Sequence, residues 1–161
     1  MDNPVSYHID DNIPREYEKA LKSAFNILDY ADNTEKKLRE KLARKGNTPE
    51  AIDFAVDYCK AHGFLNDMRY LLHISERIAN VKLYGRRRVI EELYTKGFTR
   101  EDIELLTFED IDFAENCAER IRQTGARYSD PEKLKNALLR YGYSWTDIRA
   151  ALEIIAEEQE N

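Results

Sequence analysis

Apolar residues recur along this chain at helical spacing and almost nowhere in alternation. Tyr17, Leu21, Ala24, Phe25 and Leu28 share one helical face. Ile52, Ala55, Val56 and Cys59 share another, as do Ile148, Ala151, Leu152 and Ile155. Shorter stripes run through Leu71, Ile74 and Ile78 and through Phe113, Cys117 and Ile121. The one stretch of alternation is Val5–Ile9, and no Asn-Gly or Asp-Gly pair marks a hairpin. The pattern therefore predicts an all-α protein.

The helices repeat as a group. Three glycines, Gly46, Gly97 and Gly142, lie 51 and 45 residues apart. Eight positions before each stands an aliphatic residue: Leu38, Val89 and Leu134. Leucine precedes each by four: Leu42, Leu93 and Leu138. A hydroxyl follows each by two (Thr48, Thr99, Ser144) and an isoleucine by six (Ile52, Ile103, Ile148). The aliphatic pair fixes the buried face of one helix, and the glycine can take the left-handed conformation that ends it. The hydroxyl caps the next helix. Asp102 and Asp147 then stand three residues after their caps, in the manner of a capping box. Pro49 and Pro131 each follow a capping residue at the first helical position. With a further helix before each pair, the chain divides into three tandem three-helix units over 15–63, 64–108 and 109–161, behind a loose leader at 1–14. Units this small share apolar surface with their neighbours, which predicts an elongated, curved array; collapse into one compact bundle is the alternative.

Composition narrows the class. The chain has 161 residues, 42% of them hydrophobic and 35% charged, which suits an ordered domain and excludes a disordered or membrane-spanning chain. No basic-then-apolar segment follows Met1, so a cytoplasmic protein is expected. Cys59 and Cys117 are isolated on apolar faces and read as buried free thiols. The net charge of −6 would repel a polyanion, but residues 69–100 hold eight basic side chains against three acidic. That middle could meet DNA or an acidic protein, or simply be cancelled by its surroundings.

Candidate chemistry follows the charge. Arg86, Arg87 and Arg88 open a helix after Gly85, where positive charge opposes the helix dipole at a cost of about 0.3–1 kcal/mol each. A helix that tolerates this is a candidate for using the charge, since guanidinium groups grip carboxylate or phosphate bidentately. Consecutive helical residues point about 100° apart, so two of the three can serve one partner, with Arg77, Lys82 and Lys96 nearby. A second band comprises Lys36, Lys37, Arg39, Lys41, Arg44 and Lys45. Each set serves equally as a solvated helix back. Tyr70, Tyr84 and Tyr94 could stack on bases, with core packing as the simpler role. Asn66 or Asp67 would cap the helix that follows, and Arg69 would pair internally.

The residues around these sites carry a resemblance. Gly63-Phe64-Leu65-Asn66-Asp67-Met68-Arg69-Tyr70 resembles a motif of the RecX family, in which glycine and two apolar residues precede an acid, an arginine and an aromatic. Arg77, the run Gly85-Arg86-Arg87-Arg88-Val89-Ile90-Glu91-Glu92-Leu93, and Lys96-Gly97-Phe98 are similar to the continuation of that pattern. Leu38 to Gly46 is similar to the equivalent helix of the first unit. Leu71, Glu76 and Lys82-Leu83-Tyr84 depart from it. The resemblance spans roughly residues 20–155. It implies tandem three-helix units and a non-enzymatic, monomeric regulator of RecA, acting in DNA repair, homologous recombination and the SOS response. Such a regulator lodges in the groove of the RecA–single-stranded-DNA filament and suppresses its ATPase, extension, strand-exchange and co-protease activities.

Nothing in the sequence points to catalysis. His8, His62 and His73 lack metal-ligand spacing, and no P-loop, GxSxG or GxGxxG occurs, so neither a cofactor nor a metal is expected. Two other binding functions fit the pattern. Helix-turn-helix-like units suit a direct nucleic-acid binder, and any helical array can serve as an adaptor for another partner.

Overall fold

The computed structural model describes residues 12–161. The leader assigned to 1–14 lies outside this range up to residue 11, and Val5–Ile9 lies wholly outside it. The described residues form nine α-helices and one 3-10 turn, with no strand. In order these are α1 (Arg15–Tyr30), α2 (Glu35–Arg44), α3 (Pro49–Ala61), α4 (Asp67–Asn80), α5 (Arg86–Thr95), α6 (Arg100–Glu104), α7 (Phe113–Thr124), the 3-10 turn Gly125–Arg127, α8 (Pro131–Arg140) and α9 (Trp145–Glu160).

The punctuation works as the repeat pattern predicts. Gly46, Gly97 and Gly142 all have positive φ and follow α2, α5 and α8. Thr48 accepts from the Ala51 N–H, and Asp130 from that of Glu132. Thr99 with Asp102 and Ser144 with Asp147 form complete capping boxes at α6 and α9.

The chain divides into two compact units, the first ending at Asp67 and the second running Met68–Asn161. In the first unit α1 packs along α3. Leu21, Ala24 and Phe25 meet Ile52, Ala55, Val56 and Cys59, and Leu38 and Leu42 of α2 close the core. Full burial of each leucine contributes about 2–3 kcal/mol. Phe25 sits edge-on to Tyr58 and Phe64, with ring centres 6.0 and 5.4 Å away.

The second unit buries one continuous core beneath six helices. Leu71, Ile74 and Ile78 of α4, Val89 and Leu93 of α5 and Ile103 of α6 join Cys117 and Ile121 of α7, Leu138 of α8 and Ile148 and Ala151 of α9. The apolar surface of the middle and final helix triplets is thus shared.

Asp67 has a role that sequence spacing did not suggest. Its carboxylate accepts from the Glu35 backbone N–H with both oxygens, at 2.9 and 3.2 Å. It reinforces the start of α2, where Thr34 already accepts from the Lys37 N–H. An anion there also meets the positive end of the α2 dipole. We expect Asp67→Ala to cost about 1–2 kcal/mol, as loss of a helix cap does, and Asp67→Asn less, since one acceptor remains. Urea unfolding followed by circular dichroism measures both; an alanine variant as stable as the parent would refute the capping role.

Candidate partner-binding surface

The basic residues of the second unit are fixed by how α5 begins. Leu83, two residues before Gly85, adopts a φ of 52°, a conformation that non-glycine residues rarely take. Its carbonyl is held from three directions. The buried Tyr143 hydroxyl donates to it at 2.7 Å, and Nε and Nη2 of Arg120 donate at 3.4 and 3.2 Å. Arg120 also donates to the neighbouring carbonyl of Lys82. Burial pushes the Tyr143 phenol above its ordinary range, so it remains a donor at neutral pH.

Gly85 then meets the α8–α9 turn backbone to backbone. Its N–H donates to the Tyr141 carbonyl at 2.9 Å, and the Arg87 N–H donates to the Gly142 carbonyl at 3.3 Å. The second contact occupies an N–H that an α-helix start leaves unpaired. No acid and no side-chain cap is present in the first turn of α5. A backbone carbonyl therefore does part of a cap's work, and three arginines follow without a local counter-charge at the helix start.

Those arginines are not equivalent. Arg87 donates to Glu91 at 2.6 Å and to the Leu139 carbonyl at 2.7 Å, closing the end of α8. It is the most firmly tied of the three. Arg88 stands 3.9 Å from Glu91 and 3.8 Å from Glu92, too far for hydrogen bonds, and lies over the Tyr84 ring at 5.3 Å. Arg86 lies over the rings of Phe108 and Phe113, at 5.1 and 5.5 Å. The Arg87 and Arg88 side chains remain 58% and 42% exposed; the hydrogen bonds of Arg87 commit it to the end of α8, while Arg88 retains solvent-facing surface for a partner.

Lys82 joins this cluster through Glu92, at 3.3 Å, and the Tyr84 ring. Arg77 is exposed in the last turn of α4, and Lys96 is half-buried at the end of α5. Gly97, next to it, is buried in the turn that follows. Tyr84 packs against the core and stacks with Tyr141, and Tyr70 packs against Phe98. Tyr94 departs from the core role expected of it: it is 48% exposed, because its helical position points away from the face carrying Val89 and Leu93.

In the first unit the basic band lies along α2. Arg39 reaches Asp53 at 2.6 Å and Glu35 at 3.1 Å, tying α2 to α3. Its hydrogen bond to Asp53 raises its affinity for the proton further. Partial burial would raise the Glu35 carboxyl, but Lys60 and Arg39 together hold it below the ordinary carboxylate range. Lys37 and Arg44 share Glu40, and Lys41 donates to Asn33 at 2.6 Å. Lys36 and Lys45 are exposed. Arg39 and Lys41 thus have structural work, while Lys36, Arg44 and Lys45 form the more open part of the band.

Sequence reading passed over Arg120, Arg140, Tyr128 and Tyr141, which surround the same cluster. A signal was present: Tyr141 precedes its repeat glycine where Lys45 and Lys96 precede theirs. Among the described residues no group of His, Cys, Asp or Glu is placed to hold a metal, and no helix is long and apolar enough to cross a membrane. Cys59 and Cys117 are buried and free; burial pushes their thiols up to about 11 and about 12, so neither is a nucleophile at neutral pH.

Known proteins resemble this chain in sequence and in fold. Residues 20–59 match the sequence model of the family described as "RecX, first three-helix domain". Regulatory protein RecX of Salmonella heidelberg (strain SL476) is 33% identical over 150 residues, covering 83% of this chain and 89% of that protein. The Salmonella arizonae protein of the same name is 34% identical over the same shares. The crystal structure of RecX from Lactobacillus salivarius superposes with a TM-score of 0.78 at 21% identity, covering 88% of this chain and 97% of that one. A second crystal structure, of regulatory protein RecX, gives 0.74 at 19% identity, over 86% and 73% of the two chains. The structural likeness establishes the helical fold, and the sequence identity over most of both chains places this protein in the RecX family of regulatory proteins.

Proposed function

We propose that this chain regulates RecA in the cytoplasm by lodging, as a monomer, in the groove of the RecA–single-stranded-DNA filament. There it lowers ATP hydrolysis, filament extension and strand exchange, and so acts in homologous recombination, DNA repair and the SOS response. Its helices serve as three tandem three-helix repeats, and the basic residues Arg77, Lys82, Arg86, Arg88 and Lys96, with the open part of the α2 band, meet acidic protein surface or DNA phosphates. Family membership supports the regulator role.

The observation that carries the binding surface is the start of α5. Among the described residues Arg86 has aromatic neighbours in place of an ion pair, and the carboxylates near Arg88 stand beyond hydrogen-bond reach. Exposed ion pairs contribute at most about 1 kcal/mol, so a partner's anion can displace them. Arg87 is left out of the contact set, because its tie to Leu139 holds α8.

The test is RecA's DNA-dependent ATPase with this chain added below one molecule per RecA. Inhibition is expected. Arg86→Glu with Arg88→Glu should raise the concentration for half-inhibition by tenfold or more, while the thermal midpoint stays within a few degrees of the parent's, as removal of surface contacts predicts. Failure of the folded parent chain to inhibit would reject the reading.

A further inference from the structure

In the second unit Tyr84, Arg88, Tyr128, Ala137, Arg140 and Tyr141 line an open cleft of about 250 Å³. Three phenol rings and two guanidinium groups face it, and no carboxylate is part of its wall. The cleft is a product of the glycine contact. A Cβ on Gly142, whose φ is +93°, would stand 2.5 Å from the Arg88 backbone N and Cβ. The start of α5 is therefore pressed onto the turn after α8, which sets Arg88 beside Tyr141 and the last turn of α8.

The rings are held from within the fold. Tyr84 and Tyr141 stack with centres 6.2 Å apart at 24°. Arg88 lies over Tyr84 at 5.3 Å, and Arg120 over Tyr141 at 4.0 Å. Arg120 is itself anchored to the Lys82 and Leu83 carbonyls. Arg140, by contrast, makes no ion pair or side-chain hydrogen bond among the described residues. Its cation enters the cleft wall without a protein anion to satisfy it.

An aromatic face beside one unpaired guanidinium group, Arg140, and one held only by long ion pairs, Arg88, is what a nucleotide needs. Arginine takes a phosphodiester bidentately, and a base stacks on a phenol ring whatever its identity. A carboxylate would use the arginines and leave the Tyr128 ring without a counterpart. We propose that this cleft holds one nucleotide of a single-stranded nucleic acid, its phosphate on Arg88 and Arg140 and its base on the Tyr128 ring, which no other ring or cation covers among the described residues. The proposal deepens the filament reading and rests on it for the strand's identity: the strand is the DNA inside the filament.

The experiment uses the full chain and a fluorescein-labelled oligothymidylate, with no RecA present, and reads anisotropy over a series of salt concentrations. The parent chain binds. Arg140→Glu lowers the affinity at least tenfold and makes the dependence on log salt shallower by about one unit, as loss of one phosphate contact does. Arg140→Gln gives the same direction with a smaller change and guards against misfolding of the reversed variant. Arg149→Glu, an equal charge change on the exposed side of α9 outside the cleft, stays within about twofold of the parent. Equal losses at Arg140 and Arg149 would overturn the proposal by showing unspecific charge attraction. So would absence of binding by the parent chain, or displacement of the oligonucleotide by polyglutamate as readily as by unlabelled strand. Oligonucleotide binding that depends on Arg140, without any inhibition of the RecA ATPase, would keep the cleft and reject the regulator reading.

Discussion

Gly85→Ala is expected to destabilise the second unit by about 3 kcal/mol or more, a large share of the roughly 5–15 kcal/mol that holds an ordinary domain folded. A Cβ at Gly85 would stand 2.2 Å from the Gly142 carbonyl carbon and from the Tyr143 backbone N. Both obstacles are main chain, so no rotamer change relieves the overlap. Separating the two segments would break the Gly85–Tyr141 and Arg87–Gly142 hydrogen bonds and move Arg88 away from Tyr141. The control is Gly46→Ala. Gly46, unlike Gly85, has positive φ, and nothing lies within 4 Å of its added Cβ, so only the backbone cost of about 1 kcal/mol applies. Urea denaturation of the two variants measures the difference. A Gly85→Ala loss no larger than that of Gly46→Ala would show that the glycine contact does not hold the second unit together. The same variant should lose oligonucleotide affinity along with stability, because one contact builds both.

The second large effect comes from the repeat leucines. Leu42, Leu93 and Leu138 occupy the same place in the sequence pattern, and none is more than 1% exposed. Each leucine-to-alanine change should cost about 2–5 kcal/mol, the transfer cost plus that of the cavity left behind. Where the damage spreads is the informative part. Leu42 belongs to the core of α1, α2 and α3, so Leu42→Ala should lower amide protection in those helices and leave α5–α9 unchanged. Leu93 and Leu138 share one core, so either substitution should lower protection throughout α5, α7, α8 and α9. Hydrogen exchange resolved by peptide measures this. If Leu93→Ala left α8 and α9 protected, the last two helix triplets would be separate folding units despite their common core.

Much of the fold was legible because its signals are local. The glycine, hydroxyl and acid at fixed offsets each act on backbone within a few residues, as the capping boxes at Thr99 and Ser144 illustrate. The apolar stripes were legible for the same reason: a helix buries the face its own periodicity defines, and Leu38, Leu42, Val89 and Leu93 are all fully buried. Similar sequence signals did not reveal Asp67 as a support for α2, because 32 residues separate it from the Glu35 N–H.

The candidate surface was legible only as charge. Three adjacent arginines read as one cluster, yet one closes α8, one lies over two rings and one faces a cleft. That division depends on Leu139, Phe108, Phe113 and Tyr141, which reach the start of α5 from elsewhere in the chain. Arg140 and Tyr128 carry no motif of their own, and only their place in the folded unit makes them candidates. The sequence by itself determined the helices, their ends, their repetition and the buried face of each, since those follow from interactions between near neighbours. The tertiary structure decided which arginines are committed and which are available, and which glycine must remain glycine. Those outcomes rest on close approaches between segments distant in sequence, which no local spacing encodes.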